Sequence, residues 1–416
     1  MRSYTFCSFA LNAHIHYENT LDVIGGKSGT RKNSLVADPL RSTAPIFHAP
    51  HLEQHQSRNM AAITRGSRVF VTGMSGLIGS HVADHLLCAG YRVRGTVRND
   101  HEAQMMRDVY QIRHENADKL LEIVVVANMK EPGAFDGLLT DCEGVAHVAS
   151  DLSFDPDPNV VITGCVNGIR AILQEAHSTS TIKRVVYTSS SNALTKPLVG
   201  EPRHINSNSW NNEILDEAWA PPPYNDDRAY AVYAASKVAC ERAAWDFVRE
   251  KQPNFTFNTV LPNYTSGIIL HPLSIQGAGS TARWVRDVFD HPFEEQFVQK
   301  LRDQDCGWQV DVEDVAKLHL GALAFSDVKN ERLLGFAHRY NYNSFLAAFR
   351  IAAPDRTFAT DDRGQQQPST IPDTQRSVEI LNRFGGHGWA PFQESVRRSC
   401  LGTYGDGFVG FDGSLN

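Results

Sequence analysis

The stretch VFVTGMSGLIGSHVADHLL (residues 69–87) decides the reading of this chain. Its first four residues are apolar and β-prone. Gly73, Gly76 and Gly79 follow at intervals of three. Val82, Leu86 and Leu87 then recur at helical spacing, and Gly90 stands where a helix would stop. A strand that feeds a glycine turn into a helix N-terminus builds an anion site. Its exposed N–H groups and the positive end of the helix dipole converge on one spot, and the glycines clear side chains from the approach. Residues 92–97 read as a second strand, completing a βαβ unit of about 30 residues, the expected size. In that context GxxGxxG predicts a cradle for a dinucleotide diphosphate, with Gly73, Gly76, Leu77, Ile78 and Gly79 lining it. By itself such a spacing is also that of a tight turn with packing glycines.

The alternation continues outward. Strands are expected at 121–127 (LEIVVVA, read as buried), 144–149 (GVAHVA), 184–190 (RVVYTSS) and 255–261. Helices are expected at 160–177 and 233–251, the latter opening on Tyr233. Strands alternating with helices over some 200 residues imply a parallel sheet covered on both faces. The expected class is therefore α/β, a Rossmann-type doubly wound parallel sheet with a smaller, irregular C-terminal substrate lobe. The dinucleotide domain is placed at 67–263, with a segment returning near 306–330. The lobe takes 264–305 and 331–416. Within these segments, helical pieces are expected at 283–289, 376–383 and 391–400, a helix or a strand leading into one at 310–325, and an exposed loop at 361–373 (DDRGQQQPSTIPD).

Composition sets limits on this picture. The net charge is −7, which gives no bulk electrostatic case for nucleic acid or an anionic membrane. No apolar run approaches the ~18–20 residues that cross a bilayer. Seven scattered cysteines without a CxxC pair read as thiols of a reducing compartment, so a cytoplasmic location is expected. Residues 1–66 form an N-terminal extension, read as disordered or as a mispredicted start, with Met60-Ala61-Ala62 a natural beginning. A short apolar patch at 4–11 has only Arg2 before it and no clear cleavage site, so it makes a poor secretory signal. His14, His16, His48, His51 and His55 are irregularly spaced and have no cysteine partner, so they are read as solvated and no metal site is expected.

The end of the second strand carries the next signal. A basic residue there suits a ribose 2′-phosphate, and an acidic one suits a 2′-hydroxyl. Arg98 stands at that end, favouring NADP(H) over NAD(H), while Asp100 two residues on leaves NAD(H) as the second choice. Farther along, Tyr233 and Lys237 lie four apart on one helical face. A phenol ordinarily titrates near pH 10, and a nearby ammonium stabilises its anion. Tyr233 can then give a proton to a carbonyl oxygen as hydride reaches the carbon. Ser190 ends a strand at the carboxyl edge of the sheet, where it can hold the substrate oxygen. YxxxK alone on a helix is commonly structural. It gains meaning with the glycine turn and the strand-end serine.

These residues resemble the extended short-chain dehydrogenase/reductase family. Within it, the chain is similar to the branch of dihydroflavonol reductases, cinnamoyl-CoA reductases and yeast-type aldehyde/ketone reductases, with a fungal cast. The resemblance spans about 67–400. It rests on the glycine turn, VVYTSSSNAL with Ser190, YAASKVACERAAWDF with Tyr233 and Lys237, NSWN at 208–211, VDVEDVAKLHL at 310–320 and GGHGWAPFQESV at 385–396. It implies NADP(H)-dependent reduction of an aldehyde or ketone by a monomer or homodimer acting on a small-molecule carbonyl substrate. It also implies that Arg98 meets the 2′-phosphate and that Asn128 and Met129 hold adenine. Asn128 stands where an aspartate is common. Glu102 stands where some relatives place a lysine. Ala149, Ser150, Pro262 and Thr265 would face the nicotinamide, with Ser280 and Thr281 reaching from the lobe. Substrate would meet residues 151–154, among them Phe154, then Ser190, residues 191–194, Tyr264 and Trp284. The three aromatic residues are equally readable as core. Two alternatives share the fold: an NAD-dependent sugar-nucleotide epimerase or hydroxysteroid dehydrogenase, and a non-catalytic dinucleotide sensor. Arg98 argues against the epimerase. The Tyr233–Lys237 pair argues against the sensor.

Overall fold

Val69 and Val71 turn to one face of a sheet and Phe70 to the other, the period-two signature of a strand buried on both sides. The computed structural model describes residues 61–271, 281–303, 306–386 and 388–402. Segment 1–60, with its five histidines, Cys7 and Met60, lies outside the described residues, as does Ser280. The chain runs β1 (Arg68–Thr72), α1 (Leu77–Cys88), β2 (Arg92–Val97), α2 (Asp100–Arg113), α3 (Ala117–Leu120), β3 (Leu121–Val125), β4 (Cys142–His147), α4 (Pro158–Ser178) and β5 (Arg184–Thr188). It continues through β6 (Arg203–Ile205), α5 (Glu213–Ala218), α6 (Ala229–Lys251), β7 (Thr256–Pro262), β8 (Tyr264–Ser266), α7 (Thr281–Asp290), α8 (Glu295–Arg302), β9 (Cys306–Asp311) and α9 (Val312–Ala324). It closes with β10 (Arg332–Gly335), β11 (His338–Asn341), α10 (Tyr342–Ala352), β12 (Thr370–Pro372), α11 (Gln375–Asn382) and α12 (Phe392–Leu401).

Seven strands form one parallel sheet in the order β10-β7-β5-β4-β1-β2-β3. The expected doubly wound parallel sheet is present. The order reverses direction at β1, so a crevice opens between the carboxyl ends of β1 and β4. On one face α1, α2 and α9 bury Val82, Leu86, Met106, Val315 and Leu318 against Val69, Val71, Val93 and Val186. On the other, α4 and α6 bury Ile169, Ile172, Leu173 and Ala244 against Phe70, Val145, Val185 and Phe257. A separate aromatic core joins β8, α7, α8, β11, α10 and α12 around Tyr264, Phe289, Tyr340, Phe345, Phe349 and Phe392. Two small sheets complete the chain: β11-β9-β8, and β12 paired with β6.

Several local expectations are corrected. Segment 121–127 is not a buried strand. β3 stops at Val125 and forms the edge of the sheet, so Glu122 and Val125 face solvent. The helix that carries Tyr233 opens at Ala229, which puts Tyr233 in its second turn. Stretch 361–373 is not wholly an exposed loop, because residues 370–372 pair with β6 and Thr370 is buried. Helices α2, α3, α5, α8 and α10 were not anticipated. α2 is capped by Asn99, whose Oδ1 accepts from Glu102 N at 2.9 Å, and α10 opens on a reciprocal cap between Asn341 and Ser344. Among the described residues no helix is long and apolar enough to cross a membrane.

Candidate active site

The glycine turn follows β1 directly. Gly73 has φ +67°, a left-handed conformation that only glycine adopts cheaply, and a Cβ there would come within 2.9 Å of Ala149 Cα. The turn is tied to the end of β2: Gly73 N donates to Thr96 Oγ1 (3.2 Å) and Met74 N to Thr96 O (3.0 Å). A Cβ on Gly79 would lie 2.1 Å from Gly73 O, so α1 can pack against the turn only with glycine at that position. Gly76 caps α1 without any side-chain hydrogen bond. The first N–H groups of the helix, from Leu77, Ile78 and Gly79, therefore lack a side-chain cap and lie at the carboxyl edge of the sheet. An uncapped helix start beside a turn with no room for side chains is an environment that fits a diphosphate.

The second half of the site comes from β5 and α6. β5 ends at Thr188, and two residues later Ser190 caps a short turn, its Oγ accepting from Asn192 N at 3.2 Å. The Ser190 hydroxyl lies beside the Tyr233 phenol. Burial pushes that phenol above its ordinary range, and the neighbouring serine pulls it partly back. One turn along α6, the Lys237 ammonium donates to Ser150 Oγ (2.5 Å) and to Thr188 O (3.1 Å), and it lies 5.6 Å from the centre of the Tyr187 ring. Burial holds Lys237 below the usual amine range.

Met129, Ala149, Ser150 and Lys237 line one cavity, together with Lys130, Asp151, Cys165 and Tyr187. Lys130 and Asp151 form an ion pair at its edge. The Phe154 ring tilts over Tyr233 with centroids 5.1 Å apart. The structure thus brings Ala149, Ser150, Phe154, Ser190, Tyr233 and Lys237 together, with Gly73 abutting Ala149. Asn128 is engaged in its own turn, its Oδ1 accepting from Lys130 N and its Nδ2 donating to Glu131. Pro262 ends β7 beside Gly335. Thr265 is buried in β8, where its carbonyl accepts from Thr281 Oγ1. Tyr264 and Trp284 belong to the lobe, on β8 and α7. They pack on each other, and Tyr264 packs also on Tyr340 and Phe345, inside the aromatic core.

Comparison with known proteins bears on this geometry. The NAD dependent epimerase/dehydratase family matches residues 69–334. The chain belongs to that family. It is 41% identical over 331 residues to the NAD-dependent epimerase/dehydratase terH of Aspergillus terreus, an alignment spanning 80% of this chain and 95% of that protein. It is 36% identical to aldehyde reductase 2 of Sporidiobolus salmonicolor, spanning 81% and 96%. The solved structure of Gre2 in complex with NADPH from Candida albicans superposes with a TM-score of 0.67 at 25% identity, over 79% of this chain and 96% of that one. These three relatives are fungal proteins.

Glu241 is a further member of the site that the sequence reading missed. It is fully buried on α6, eight residues after Tyr233, and its carboxylate accepts from Ser189 Oγ (2.7 Å), Thr259 Oγ1 (2.9 Å) and Arg332 Nε (2.7 Å). Arg332 also stacks on Trp210, 3.9 Å from the ring centre. Glu241 therefore fixes α6 to the strand end that carries Ser190. Its spacing at i+8 from Tyr233 and at i−4 from Trp245 was the available signal, because its other partners lie 18 to 91 residues away.

Proposed function

We propose that this protein reduces an aldehyde or ketone to an alcohol with a nicotinamide dinucleotide, NADPH being favoured. The observation that carries the reading is Ser190 beside the Tyr233 phenol, with the Lys237 ammonium one helical turn on. The names of its relatives support it: an aldehyde reductase is 36% identical over the aligned residues, and a similar structure holds NADPH. The Arg98 side chain is 77% exposed at the end of β2, in keeping with a role toward a ribose phosphate.

When bound, the reduced nicotinamide supplies the hydride that the carbonyl carbon accepts. Leu77, Ile78 and Gly79 would hold the diphosphate through their N–H groups. Ser190 donates a hydrogen bond to the carbonyl oxygen and orients it toward Tyr233. Tyr233 gives that oxygen its phenolic proton as the C=O bond becomes C–O–H, so the substrate gains one hydride and one proton. Two of the three Lys237 donors are used by Ser150 and Thr188 O. The third is assigned to the nicotinamide ribose, and its charge supports the phenolate left on Tyr233. In this reading residues 67–263, with segment 306–330 returning, carry the dinucleotide. Residues 264–305 and 331–416 form the substrate side. Phe154 lines the apolar approach to Tyr233.

The test is NADPH oxidation with a panel of aliphatic and aromatic aldehydes, diketones and cyclic ketones, run beside Tyr233→Phe. Loss of the phenolic proton donor is expected to reduce kcat by about 10²–10⁴ with nucleotide binding retained. Turnover unchanged in Tyr233→Phe would remove the proposal.

A further inference from the structure

Glu102 stands where the two halves of the adenine-side site meet. Its Oε2 accepts from Ser75 Oγ in the glycine turn (2.7 Å) and from the backbone N–H of Arg98 (3.2 Å). Its Oε1 accepts from Arg98 Nε (3.2 Å) and pairs with a terminal guanidinium nitrogen at 3.0 Å. The Glu102 side chain is only 9% exposed, and the Asn99 cap of α2 fixes its backbone. This carboxylate is therefore held by four polar contacts between the turn after β1 and the end of β2.

Those two places bracket the adenosine ribose in a doubly wound nucleotide site. A carboxylate there accepts from a ribose hydroxyl and repels a 2′-phosphate. A guanidinium does the reverse. Here both groups occupy one edge and are bonded to each other. Arg98 Nε and one terminal nitrogen are engaged by Glu102, so fewer of its donors face outward, and its charge is offset at contact distance.

We infer that Glu102 is a specificity-determining residue. By pairing with Arg98 it restrains the preference for NADP(H) and lets the site use NAD(H) as well. The inference rests on the proposed function only in taking this edge as the ribose end of a dinucleotide site.

The experiment measures binding of NADP⁺ and NAD⁺ to the full chain by calorimetry, for wild type, Glu102→Gln and Ser75→Ala. Glu102→Gln keeps the size of the side chain and one of its two acceptor oxygens and removes its charge. The ratio of affinities, NADP⁺ over NAD⁺, is expected to rise by about five- to tenfold in that variant, the effect of one like charge at a partly solvated edge. Ser75→Ala breaks a bond from the turn to the same carboxylate without changing charge, so its ratio should stay at the wild-type value. A ratio unmoved within about twofold in Glu102→Gln, with both nucleotides still bound, overturns the inference alone. An equal shift in Ser75→Ala overturns it too, because the effect would then be the geometry of the turn rather than charge. Failure of wild type to bind either nucleotide overturns the reading of the whole site.

Discussion

The Phe154 and Tyr233 rings stand 5.1 Å apart at an interplanar angle of 33°, so the candidate proton donor has an apolar lid on one side. Burial is the larger of the influences that raise the Tyr233 phenol. Removing the lid in Phe154→Ala should let water in and bring that phenol down toward its ordinary range. The alkaline limb of the pH–rate profile is therefore expected to move to lower pH. An aromatic contact worth about 0.5–1.5 kcal/mol also disappears. For aromatic substrates this corresponds to a roughly three- to tenfold drop in kcat/KM. A profile superposable on wild type would argue that the ring contributes packing alone.

Glu241 and Arg332 form a buried pair whose side chains are 0% and 7% exposed. Glu241→Ala leaves the guanidinium without its counter-charge and should destabilise the protein by about 3–5 kcal/mol. Replacing both residues by leucine removes the orphan charge, so the double variant is expected to recover much of that loss. Denaturant unfolding of the three proteins reads the difference. Equal losses in single and double variants would contradict the assignment.

Gly79→Ala puts a methyl group about where Gly73 O now lies. The obstacle is backbone, so the turn itself must move. Nucleotide affinity should fall by more than about tenfold, a cost of at least about 1.4 kcal/mol. Titration with NADP⁺ and NAD⁺ should show the loss for both alike, because the diphosphate is common to them.

His147 and His319 are buried, and each shares a hydrogen bond with a threonine hydroxyl, Thr72 (2.9 Å) and Thr188 (2.7 Å) respectively. Burial lowers them to about 3 and about 4. The folded values lie below the unfolded value near 6.5, so the unfolded chain takes up more protons in between. Their contribution to stability is full above pH 6.5 and is lost as pH falls toward 4. Each contributes a slope of up to about 1.4 kcal/mol per pH unit in that window. His319→Gln should flatten the fall of Tm between pH 6.5 and 4. Comparing slopes with wild type separates this histidine from Asp311, which burial raises to about 7 and which titrates in the opposite sense.

Much of the sheet was legible because its information is local. Residues 68–72 and 92–97 carry their strand character in apolar runs, and the glycines between them mark the turn. The edge position of β3 was not legible, since VVVA looks the same whether one face or two is covered. Tyr233, Lys237 and Ser190 were readable as a set because two of them share a helical face and the third ends a strand. Tyr264 and Trp284 were ambiguous for a physical reason: an aromatic residue in a lobe has the same composition signal whether it lines a pocket or fills a core, and only packing such as that of Tyr264 on Tyr340 and Phe345 separates the two. The Glu102 bridge depends on how Asn99 starts α2, which brings a surface-type residue back over the glycine turn. Spacing alone could show that Glu102 follows Arg98 by four, but not that both lean toward Ser75.

Tyr233, Lys237 and Glu241 occupy one stripe of α6, two turns and a little more in length. The upper two positions are the proposed proton donor and its ammonium neighbour, and the lowest is bolted to the residue after β5, to β7 and to β10 through Ser189, Thr259 and Arg332. Adding or deleting one residue between 233 and 241 would rotate the upper part against the lower by about 100°. No single rotation of the helix could then satisfy both the anchor and the proton donor. This part of the chain is a fixed-length ruler, and changes in length have to fall outside its scale, in exposed stretches such as that around Leu152 and Ser153.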